Sequence, residues 1–369
     1  MKGKILYIYP DCSTFIQKDI AFLSRKYEVV TPGHTWSNKN RTPLNFFIQL
    51  LFLSRHMLSC RAVFVMFGGY WSFLPALFGK ITGKSVYIIP GGTDCVSFPS
   101  LNYGSLRKPV MRAFIKWSFS LCTKLLPVDE SLVESEYHWL ENPDYPKQGF
   151  KYFFPNLNTP YQVIHNGFDP EFFNSDPSVK RSDSFIALAP VSNMVRVRIK
   201  GVDLLIDLAK RFSHCSFTLV GISESMAAQL APLPANLRLC SLLPKEEFIS
   251  LLAESQFVLQ LSVSEGFPNA LCEAMLCHCI PVGSPVGAIP AIIGETGFIL
   301  SSPERNCLYA RFEEILKSEP ETRLQLGLKA RERIAATYHI ERREAAFAEL
   351  LEQQSRSKDQ RLGKRFTFL

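Results

Sequence analysis

The sequence predicts an α/β protein with two doubly wound parallel sheets, one in each half of the chain. Short apolar segments rich in β-branched and aromatic residues alternate with segments of helical periodicity, and the alternation restarts after a Pro-, Asp- and Ser-rich stretch at 169–183. Near-continuous apolarity suits strands that helices cover on both faces, and such sheets bind ligands beyond the carboxyl ends of their strands. We therefore expect two Rossmann-like domains that face each other across a cleft.

The first domain is expected over residues 1–168, with the linker over 169–183. Its candidate strands are short and apolar, and the candidate helices between them show a periodicity near 3.6. The strands are Lys4–Tyr9, Tyr27–Val30, Ala62–Phe67, Ser85–Ile89, Lys124–Val128 and Tyr161–Ile164. The helices are Ile16–Lys26, Asn45–Leu58, Phe73–Ile81 and Val110–Phe119.

The second domain is expected over 184–338. Its candidate strands are Phe185–Ala189, Phe217–Val220, Leu237–Leu239, Phe257–Leu261, Ile280–Val282 and Gly297–Leu300. Its candidate helices are Gly201–Phe212, Lys245–Glu254, Ala270–Cys277, Leu308–Lys317 and Glu319–Tyr338. A last helix within 339–354 is expected to pack back towards the N-terminal domain, and the basic tail 355–369 to be disordered.

Composition narrows the class of protein. The 369 residues are 47% hydrophobic and 20% charged, which leaves little room for extensive disorder. No apolar run is long enough for a signal peptide or a membrane span, so we expect a cytoplasmic protein. The ten cysteines lack paired spacing, as is typical of reduced thiols, and the cluster Cys272, Cys277, His278 and Cys279 is too tight to surround a metal ion.

The positive charge lies in the first domain. Residues 1–168 hold 18 Lys and Arg against 10 Asp and Glu, and the remaining residues hold 23 against 24. Lys108, Arg112 and Lys116 recur at near-helical spacing among apolar residues, a pattern typical of helices that rest on anionic membranes. The alternative is an ordinary solvated helix surface.

The most informative segment is SVSEGFPNALCEAMLCHCIP, residues 262–281. It predicts a strand, a loop, a helix and a strand, with Glu265 in the loop and Glu273 about one turn inside the helix. The N–H groups at the start of that helix favour an anion or sugar hydroxyls. The two carboxylates can accept hydrogen bonds from separate diols of one ligand.

This segment resembles the E-x7-E motif of the retaining glycosyltransferases of family 4, which have the GT-B fold. The resemblance implies that Glu265 contacts the donor sugar and that Glu273 holds the ribose of the nucleotide. It implies further that the loop residues contribute backbone amides near the sugar and the phosphates; these are Gly266, Phe267, Pro268 and Asn269. Segments 164–169 (IHNGFD) and 282–298 also resemble the family.

The segment Ile199–Leu205 (IKGVDLL) resembles the family's K-G-V-D element, which implies that Lys200 pairs with the donor diphosphate. The family places an Arg shortly upstream, and that position is not filled in register here. Arg196 or Arg198 could supply the second cation, with Arg196 slightly preferred. Gly221, which ends a candidate strand, is assigned to the donor site as well.

The acceptor is expected in the N-terminal domain, because the C-terminal domain binds the donor in this fold. Three loops follow strands there, and paired glycines allow a ligand to approach the backbone closely. Asp94 could hydrogen-bond an acceptor hydroxyl, or it could be a turn residue. The remaining acceptor candidates are Ser13, Thr14, Gly68, Gly69, Tyr70, Gly92 and Thr93.

The resemblance implies metal-independent, retaining transfer of a sugar from a nucleotide-diphosphate sugar to a glycan or lipid-linked acceptor. No metal or other cofactor is expected, and no nucleic-acid partner. Surface polysaccharide, lipopolysaccharide or other glycoconjugate synthesis is the expected setting, with peripheral association at the inner face of the cytoplasmic membrane as a further expectation. The alternatives are a nucleotide-sugar 2-epimerase and a catalytically impaired, nucleotide-sugar-binding scaffold.

Overall fold

Two parallel sheets dominate the structure, a computed structural model that describes residues 2–366 and, for Lys39 and 354–366, the backbone alone. The N-terminal sheet has the order β2-β1-β3-β4-β5 and the C-terminal sheet the order β10-β9-β8-β11-β12-β13. Every pairing within these two sheets is parallel. The predicted α/β fold with two doubly wound sheets is thereby confirmed.

The N-terminal domain alternates strands and helices, and an antiparallel pair of very short strands (β6 and β7) lies outside its main sheet. Its strands are β1 Lys4–Ile8, β2 Glu28–Val30, β3 Cys60–Met66, β4 Ser85–Ile89, β5 Lys124–Leu125, β6 Ser135–Glu136 and β7 Lys147–Gln148. Its helices are α1 Thr14–Lys26, α2 Thr42–His56, α3 Tyr70–Thr82, α4 Pro109–Leu121 and α5 Phe150–Phe153.

The C-terminal domain repeats the pattern. Its strands are β8 Arg181–Val191, β9 Ser216–Ile222, β10 Leu237–Cys240, β11 Ser255–Gln260, β12 Ile280–Gly283 and β13 Phe298–Ile299. Its helices are α6 Met194–Ile199, α7 Val202–Arg211, α8 Glu224–Leu230, α9 Lys245–Glu254, α10 Asn269–Leu276, α11 Ile289–Ile293, α12 Arg305–Leu316 and α13 Pro320–Thr337. A final helix, α14 Ile340–Phe366, follows.

Aromatic side chains from neighbouring strands form the centre of the C-terminal core. Phe185 of β8 stacks on Phe217 of β9 and on Phe257 of β11, with ring centroids 5.0 and 4.8 Å apart. The three rings share one face because parallel strands in register place equivalent residues side by side. Phe312 of α12 covers this face and is completely buried.

Helix α14 returns to the N-terminal domain. Phe347 is completely buried, stacked on Phe64 of β3 at 4.8 Å and edge-on to Phe22 of α1 at 5.3 Å. The Arg343 guanidinium donates two hydrogen bonds of 2.7 Å to the Asp19 carboxylate. Both side chains are almost fully buried, so this ion pair fixes the helix on the domain from inside the interface.

The sequence prediction of a strand at Tyr161–Ile164 is wrong. This segment runs beside β5 and forms one isolated parallel bridge, between Leu125 and Tyr161. Pro127 and Pro160 lie in the two paired segments, and a proline has no N–H to donate to a strand ladder. The pairing therefore stays irregular at this edge of the sheet.

Two boundaries also differ from the expected ones. Strand β8 already begins at Arg181, inside the expected linker, and Phe173 within that linker is completely buried. Helix α14 continues to Phe366, where a disordered tail was expected from 355. Most of its C-terminal residues favour helix and none is proline, which explains the extension. The tail residues 367–369 lie outside the described part of the chain.

Candidate active site

The two domains meet at the carboxyl ends of their strands, and the contact is close. A Cβ atom added to Gly266 would lie 2.1 Å from the carbonyl oxygen of Gly91 and 3.0 Å from the Cα of Gly92, both in the other domain. The Tyr137 hydroxyl donates a hydrogen bond of 2.9 Å to the carbonyl oxygen of Val263 across the same boundary. The structure is therefore a closed arrangement of the cleft.

Replacing Gly266 by alanine is expected to block this closure and to lower the turnover of any reaction in the cleft by about 100-fold. The methyl group needs roughly 1 Å more space than the closed cleft leaves between the two backbones. The domains can provide this space only by moving apart. Small-angle scattering should show a larger radius of gyration in Gly266→Ala. Gly3→Ala is the control, because its added Cβ would make only ordinary contacts of 3.7–4.0 Å. A Gly266→Ala protein with normal turnover and normal dimensions would refute the closure argument.

Glu265 and Lys200 form an ion pair at the floor of the cleft. The Lys200 Nζ donates to Glu265 Oε1 at 2.5 Å, and the two side chains are 18% and 10% exposed. The same oxygen accepts hydrogen bonds from Gln260 at 3.0 Å and from Ser262 at 2.8 Å. These donors hold the carboxylate in one orientation.

The backbone at Gly201 brings Lys200 to this position. Gly201 has φ +65°, and an added Cβ would lie 2.1 Å from the carbonyl oxygen of Leu261. Only glycine allows this close approach together with the left-handed conformation. The turn between α6 and α7 is thereby pressed against the end of β11, just before the Glu265 loop.

A cavity of about 620 Å³ opens beyond the ends of β8, β9 and β10. Arg196 and Gly221 line it together with Val191, Met226 and Leu242. The rest of the lining is mostly polar and uncharged, with four serines and Gln229, and Arg196 is its one charged residue. Mixed walls with one cation suit a ligand that has an uncharged part with hydrogen-bonding groups and an anionic part.

The two candidate arginines, Arg196 and Arg198, have different surroundings in the structure. Arg196 lies in the first turn of α6, where the Asn193 side chain accepts a hydrogen bond of 3.0 Å from its backbone N–H, and its side chain reaches the cavity. Arg198 is exposed, and its charge acts on Asp203. The geometry favours Arg196 as the second cation beside Lys200.

Glu273 faces the N-terminal domain from the middle of α10. Its Oε1 lies 3.9 Å from the Nζ of Lys18, and its side chain is 15% exposed. Burial raises the pKa of Glu273, an effect that Lys18 and Lys245 partly offset. Burial also lowers the pKa of Lys18. Both groups are therefore held in a partly desolvated site between the domains.

The loop before α10 has mixed roles. Gly266 and Pro268 are buried at the domain boundary, and Asn269 accepts a hydrogen bond of 2.9 Å from the Asn166 side chain. Phe267 is 7% exposed and stacks on Phe168, so its ring is part of the packing between the domains. The expectation for this loop concerned its backbone N–H groups and not the Phe267 ring. It stays a prediction for Gly266, Phe267 and Asn269, and it is wrong for Pro268, which has no N–H to donate.

Asp94 does not reach the cleft. It is completely buried, and its carboxylate accepts hydrogen bonds from the N–H groups of Gly68, Gly91 and Gly92 at 2.8, 3.2 and 3.0 Å. Burial raises its pKa, against the effect of these donors. The prediction that Asp94 meets an acceptor hydroxyl is therefore wrong. Asp94 connects the loop at Gly68 to the loop at Gly91 and Gly92, as expected of a turn residue.

The other acceptor candidates divide between cleft and core. Thr93 lines a cavity between the domains, and Gly92 lies beside Gly266. Gly68 and Gly69 are buried under Phe119 and Trp71, so the expectation that these two glycines contact a ligand is wrong. Tyr70 is half-buried and packs edge-on against Phe114, and its assignment to the acceptor stays a prediction. Thr14 is exposed and Ser13 half-buried at the start of α1, where their assignment stays a prediction.

Several residues of the site were not predicted from the sequence. Lys18 and Tyr103 come from the N-terminal domain, where the resemblance is weakest. Tyr103 lies under the Arg196 guanidinium, 5.9 Å from ring centroid to Cζ. Gln260 and Ser262 precede Glu265 at spacings of five and three residues, a signal that was available in the sequence.

The cysteine cluster is part of the core. Cys272, Cys277 and Cys279 are completely buried, and the Cys279 thiol donates to backbone carbonyl oxygens at 3.2 and 3.3 Å. Within the described residues, no group of three or more His, Cys, Asp or Glu is arranged to hold a metal ion. In the same residues, no helix is both long and apolar enough to cross a membrane.

Two Rossmann-like domains around a cleft that contains an E-x7-E pair define a protein of the GT-B class. Residues 187–318 match the family described as Glycosyl transferases group 1. The match lies in the C-terminal domain, where the sequence resemblance is also clearest, and it covers about a third of the chain.

Two curated proteins are similar to the chain. One component of the human phosphatidylinositol N-acetylglucosaminyltransferase is 29% identical over 163 residues, which cover 42% of this chain and 33% of that protein. The N-acetyl-alpha-D-glucosaminyl L-malate synthase of Bacillus anthracis is 25% identical over 247 residues, which cover 63% of this chain and 60% of that protein. The chain thus matches about a third and three fifths of these relatives.

Solved structures share the fold over nearly the whole chain. Anabaena HepE in complex with UDP-glucose has a TM-score of 0.70 at 15% identity, covering 95% of this chain and 99% of that one. Sucrose-phosphate synthase from Thermosynechococcus elongatus has a TM-score of 0.73 at 13% identity, covering 96% and 100%. The GT-B fold predicted from the sequence is thereby confirmed.

Proposed function

We propose that the chain is a retaining glycosyltransferase that moves a sugar from a nucleotide-diphosphate sugar to an acceptor held by the N-terminal domain. The observation that carries the proposal is the Lys200–Glu265 pair at the floor of the cleft, next to the cavity that Arg196 lines. A cation for the leaving diphosphate and an oriented carboxylate for the sugar hydroxyls thus lie within one site.

The donor proposed is a uridine-diphosphate sugar. The Anabaena structure with the same fold holds UDP-glucose, and the names of both curated relatives contain an N-acetylglucosaminyl group. In this proposal the nucleoside occupies the cavity of about 620 Å³. Glu273 does not line this cavity, and its proposed role as acceptor of hydrogen bonds from the ribose rests on the family resemblance. Lys200 and Arg196 bind the two phosphates.

The reaction proposed needs no metal. As the glycosidic bond breaks, negative charge grows on the diphosphate, and two fixed cations stabilise it more than they stabilise the intact donor. A diphosphate oxygen then takes the proton of the attacking hydroxyl on the same face of the sugar. Closure of the cleft around Gly266 excludes the water that would otherwise hydrolyse the donor.

Glu273→Gln tests the donor site. We expect UDP to bind about 10-fold more weakly, because hydrogen bonds to a charged acceptor contribute roughly 1.5–3 kcal/mol. Calorimetric titration with UDP measures this loss. Glu295→Gln is the control, because Glu295 is exposed and lies outside the cleft residues named above. Equal affinity of Glu273→Gln and wild type would overturn the assignment.

The same variant has a predictable effect on stability. The folded-state pKa of Glu273 is raised by burial, so ionising this group at neutral pH destabilises the folded protein. Its favourable contribution is complete below the carboxyl pKa of the unfolded chain and is lost as the pH rises through the folded-state pKa. Glu273→Gln should therefore be more stable than wild type at neutral pH, with the difference vanishing in acid. Thermal unfolding across this pH range measures it.

Two other functions predict different results. A 2-epimerase would interconvert two UDP-sugars without an acceptor, and an impaired scaffold would bind UDP without turnover. The intact Lys200–Glu265 pair favours a working transferase over the scaffold. Release of UDP that depends on an added acceptor separates transfer from both alternatives.

We propose in addition that the N-terminal domain docks on an anionic membrane from the cytoplasmic side. Helices α2 and α4 both pack on α3, and Phe46 of α2 contacts Phe114 of α4 with ring centroids 5.8 Å apart. Their outer faces expose large apolar side chains beside exposed Arg and Lys residues. The apolar residues are Leu44, Phe47, Leu51, Val110 and Trp117, and the basic ones are Arg41, Arg55, Lys108 and Lys116. Arg112 instead turns inward and donates to the carbonyl oxygen of Phe153.

Flotation with vesicles that contain phosphatidylglycerol tests this surface. The double variant Phe47→Ser/Trp117→Ser should bind at least 10-fold more weakly than wild type, because burying such a side chain contributes about 1.5–3 kcal/mol. Leu328→Ser is the control, since Leu328 is 39% exposed on α13 of the other domain. Failure of the wild type to float with these vesicles would end the membrane proposal.

A further inference from the structure

A second cavity of about 430 Å³ lies between the domains. Segment 102–108 and Thr93 of the N-terminal domain form one wall, and Asn193, Val195 and Arg196 form the other. Arg196 is common to both cavities. A ligand here would lie next to the phosphates of a donor in the first cavity.

The N-terminal wall is rigid. Gly104 has φ +88°, and an added Cβ would lie 2.2 Å from the carbonyl oxygen of Val96, so the segment is packed against its neighbour. The Ser105 N–H donates to the carbonyl oxygen of Thr93 at 2.7 Å, and Phe98 pairs with Tyr103 as an antiparallel bridge. The side chains of this segment are therefore presented from a fixed backbone.

The charged side chains that line this cavity are all positive. Its described lining includes Arg107, Lys108 and Arg196 and contains no Asp or Glu. The Nε of Arg107 is buried and has no hydrogen-bond partner among the described residues, which is costly for a guanidinium group. Lys108 stands at the start of α4, where the helix dipole adds to the positive potential.

The cavity also adjoins the reacting centre. Thr93, which lines the cavity, follows Gly92, and a Cβ added to Gly92 would lie 3.5 Å from the backbone nitrogen of Gly266, the residue after Glu265. Burial, and then the charge of Glu265, raise the pKa of Tyr103, which also lines the cavity, to about 12. A ligand in this cavity would therefore lie close to the loop that carries Glu265.

We infer that this cavity binds the acceptor, and that the acceptor carries an anionic phosphoester which Arg107 and Lys108 recognise. The inference rests on the proposed function, because it needs a donor in the neighbouring cavity. Arg107 offers a planar fork of donors that matches a phosphate, and Lys108 adds a point charge. The phosphoester belongs either to a soluble molecule or to a lipid headgroup, and both present the same chemistry to these residues.

Calorimetric titration of the UDP-saturated protein with glycerol 3-phosphate tests the inference. Bound UDP keeps the probe from the donor phosphate site. Wild type should bind glycerol 3-phosphate but not glycerol, and Arg107→Gln should bind the probe at least 10-fold more weakly. Lys80→Gln, which removes an exposed charge elsewhere in the domain, should bind it like wild type. Vesicles of phosphatidylcholine with and without phosphatidylinositol then identify the source, through the rate of UDP release from a UDP-sugar.

The titration distinguishes failure of the proposed function from failure of the acceptor inference. If UDP itself does not bind to wild type, the proposed function fails. If UDP binds normally but the probe does not bind, or binds equally to wild type and Arg107→Gln, the acceptor inference is overturned. If Arg107→Gln weakens UDP binding instead, the basic residues belong to the donor site, and the inference is again overturned.

Discussion

Replacing Lys200 by methionine is expected to lower kcat for sugar transfer by about 10²- to 10³-fold, the loss typical of removing one group that stabilises transition-state charge. Methionine keeps most of the side-chain volume but removes the ammonium group, so the leaving diphosphate loses its nearest cation. Glu265 keeps its hydrogen bonds to Gln260 and Ser262 and stays in place. The rate of UDP release from UDP-sugar with acceptor measures the effect.

Two further variants make this result decisive. Lys210→Met removes an exposed charge on α7 of the same domain and should leave kcat within about twofold of wild type, as surface changes usually do. Glu265→Gln should itself be severely impaired, and the double variant Lys200→Met/Glu265→Gln should lose less than the two single losses combined, because groups that act together are not additive. A folded Lys200→Met enzyme with normal kcat would remove Lys200 from the mechanism.

The second large effect is on stability. Arg343→Met is expected to lower the free energy of unfolding by about 3–5 kcal/mol, because it leaves the buried Asp19 carboxylate without its ion-pair partner. Arg343 also donates to the carbonyl oxygens of Ile164 and His165 at 3.0 and 3.1 Å, and these acceptors lose their donor too. In a domain of this size the melting temperature should fall by about 10 °C. Urea denaturation followed by tryptophan fluorescence measures the change.

An exposed ion pair on the same two helices provides the control. Arg25 pairs with Glu344 at 3.1 Å, but Arg25 is 69% exposed, so Arg25→Gln should cost about 1 kcal/mol or less. Asp19→Asn should be destabilising in the same range as Arg343→Met. Equal stability of Arg343→Met and Arg25→Gln would show that the buried ion pair contributes no more to the free energy of unfolding than the exposed one.

Strands and helices were predictable because their apolar patterns are local. The central strands of both sheets, and the helix after Glu265, are determined by residues adjacent in sequence. The segment Tyr161–Ile164 was misread because apolarity alone does not reveal that Pro127 and Pro160 deprive the pairing of donors. The end of the last helix was misread because a basic, polar composition is compatible with both helix and disorder.

The proposed donor site was more predictable than the proposed acceptor site. Glu265, Glu273 and Lys200 lie in segments whose sequence resembles a known family. The segment that contains Tyr103 and Arg107 carries no such resemblance. Asp94 was misassigned for a different reason. A carboxylate beside paired glycines can serve a ligand or satisfy backbone N–H groups, and only the packing of Gly68 beneath Phe119 decides between them.

The return of α14 to the first domain has a consequence for synthesis on the ribosome. Phe347 fills a space between Phe22 and Phe64 that no earlier part of the chain occupies in this structure. At about 5–20 residues per second, translation needs on the order of ten seconds or more to pass from residue 168 to residue 347. During that time the nascent N-terminal domain presents an uncovered apolar groove and the unpaired carboxylate of Asp19. Chaperones that bind apolar surface should therefore associate with ribosome-bound chains ending before residue 340, and release them once the last helix has emerged.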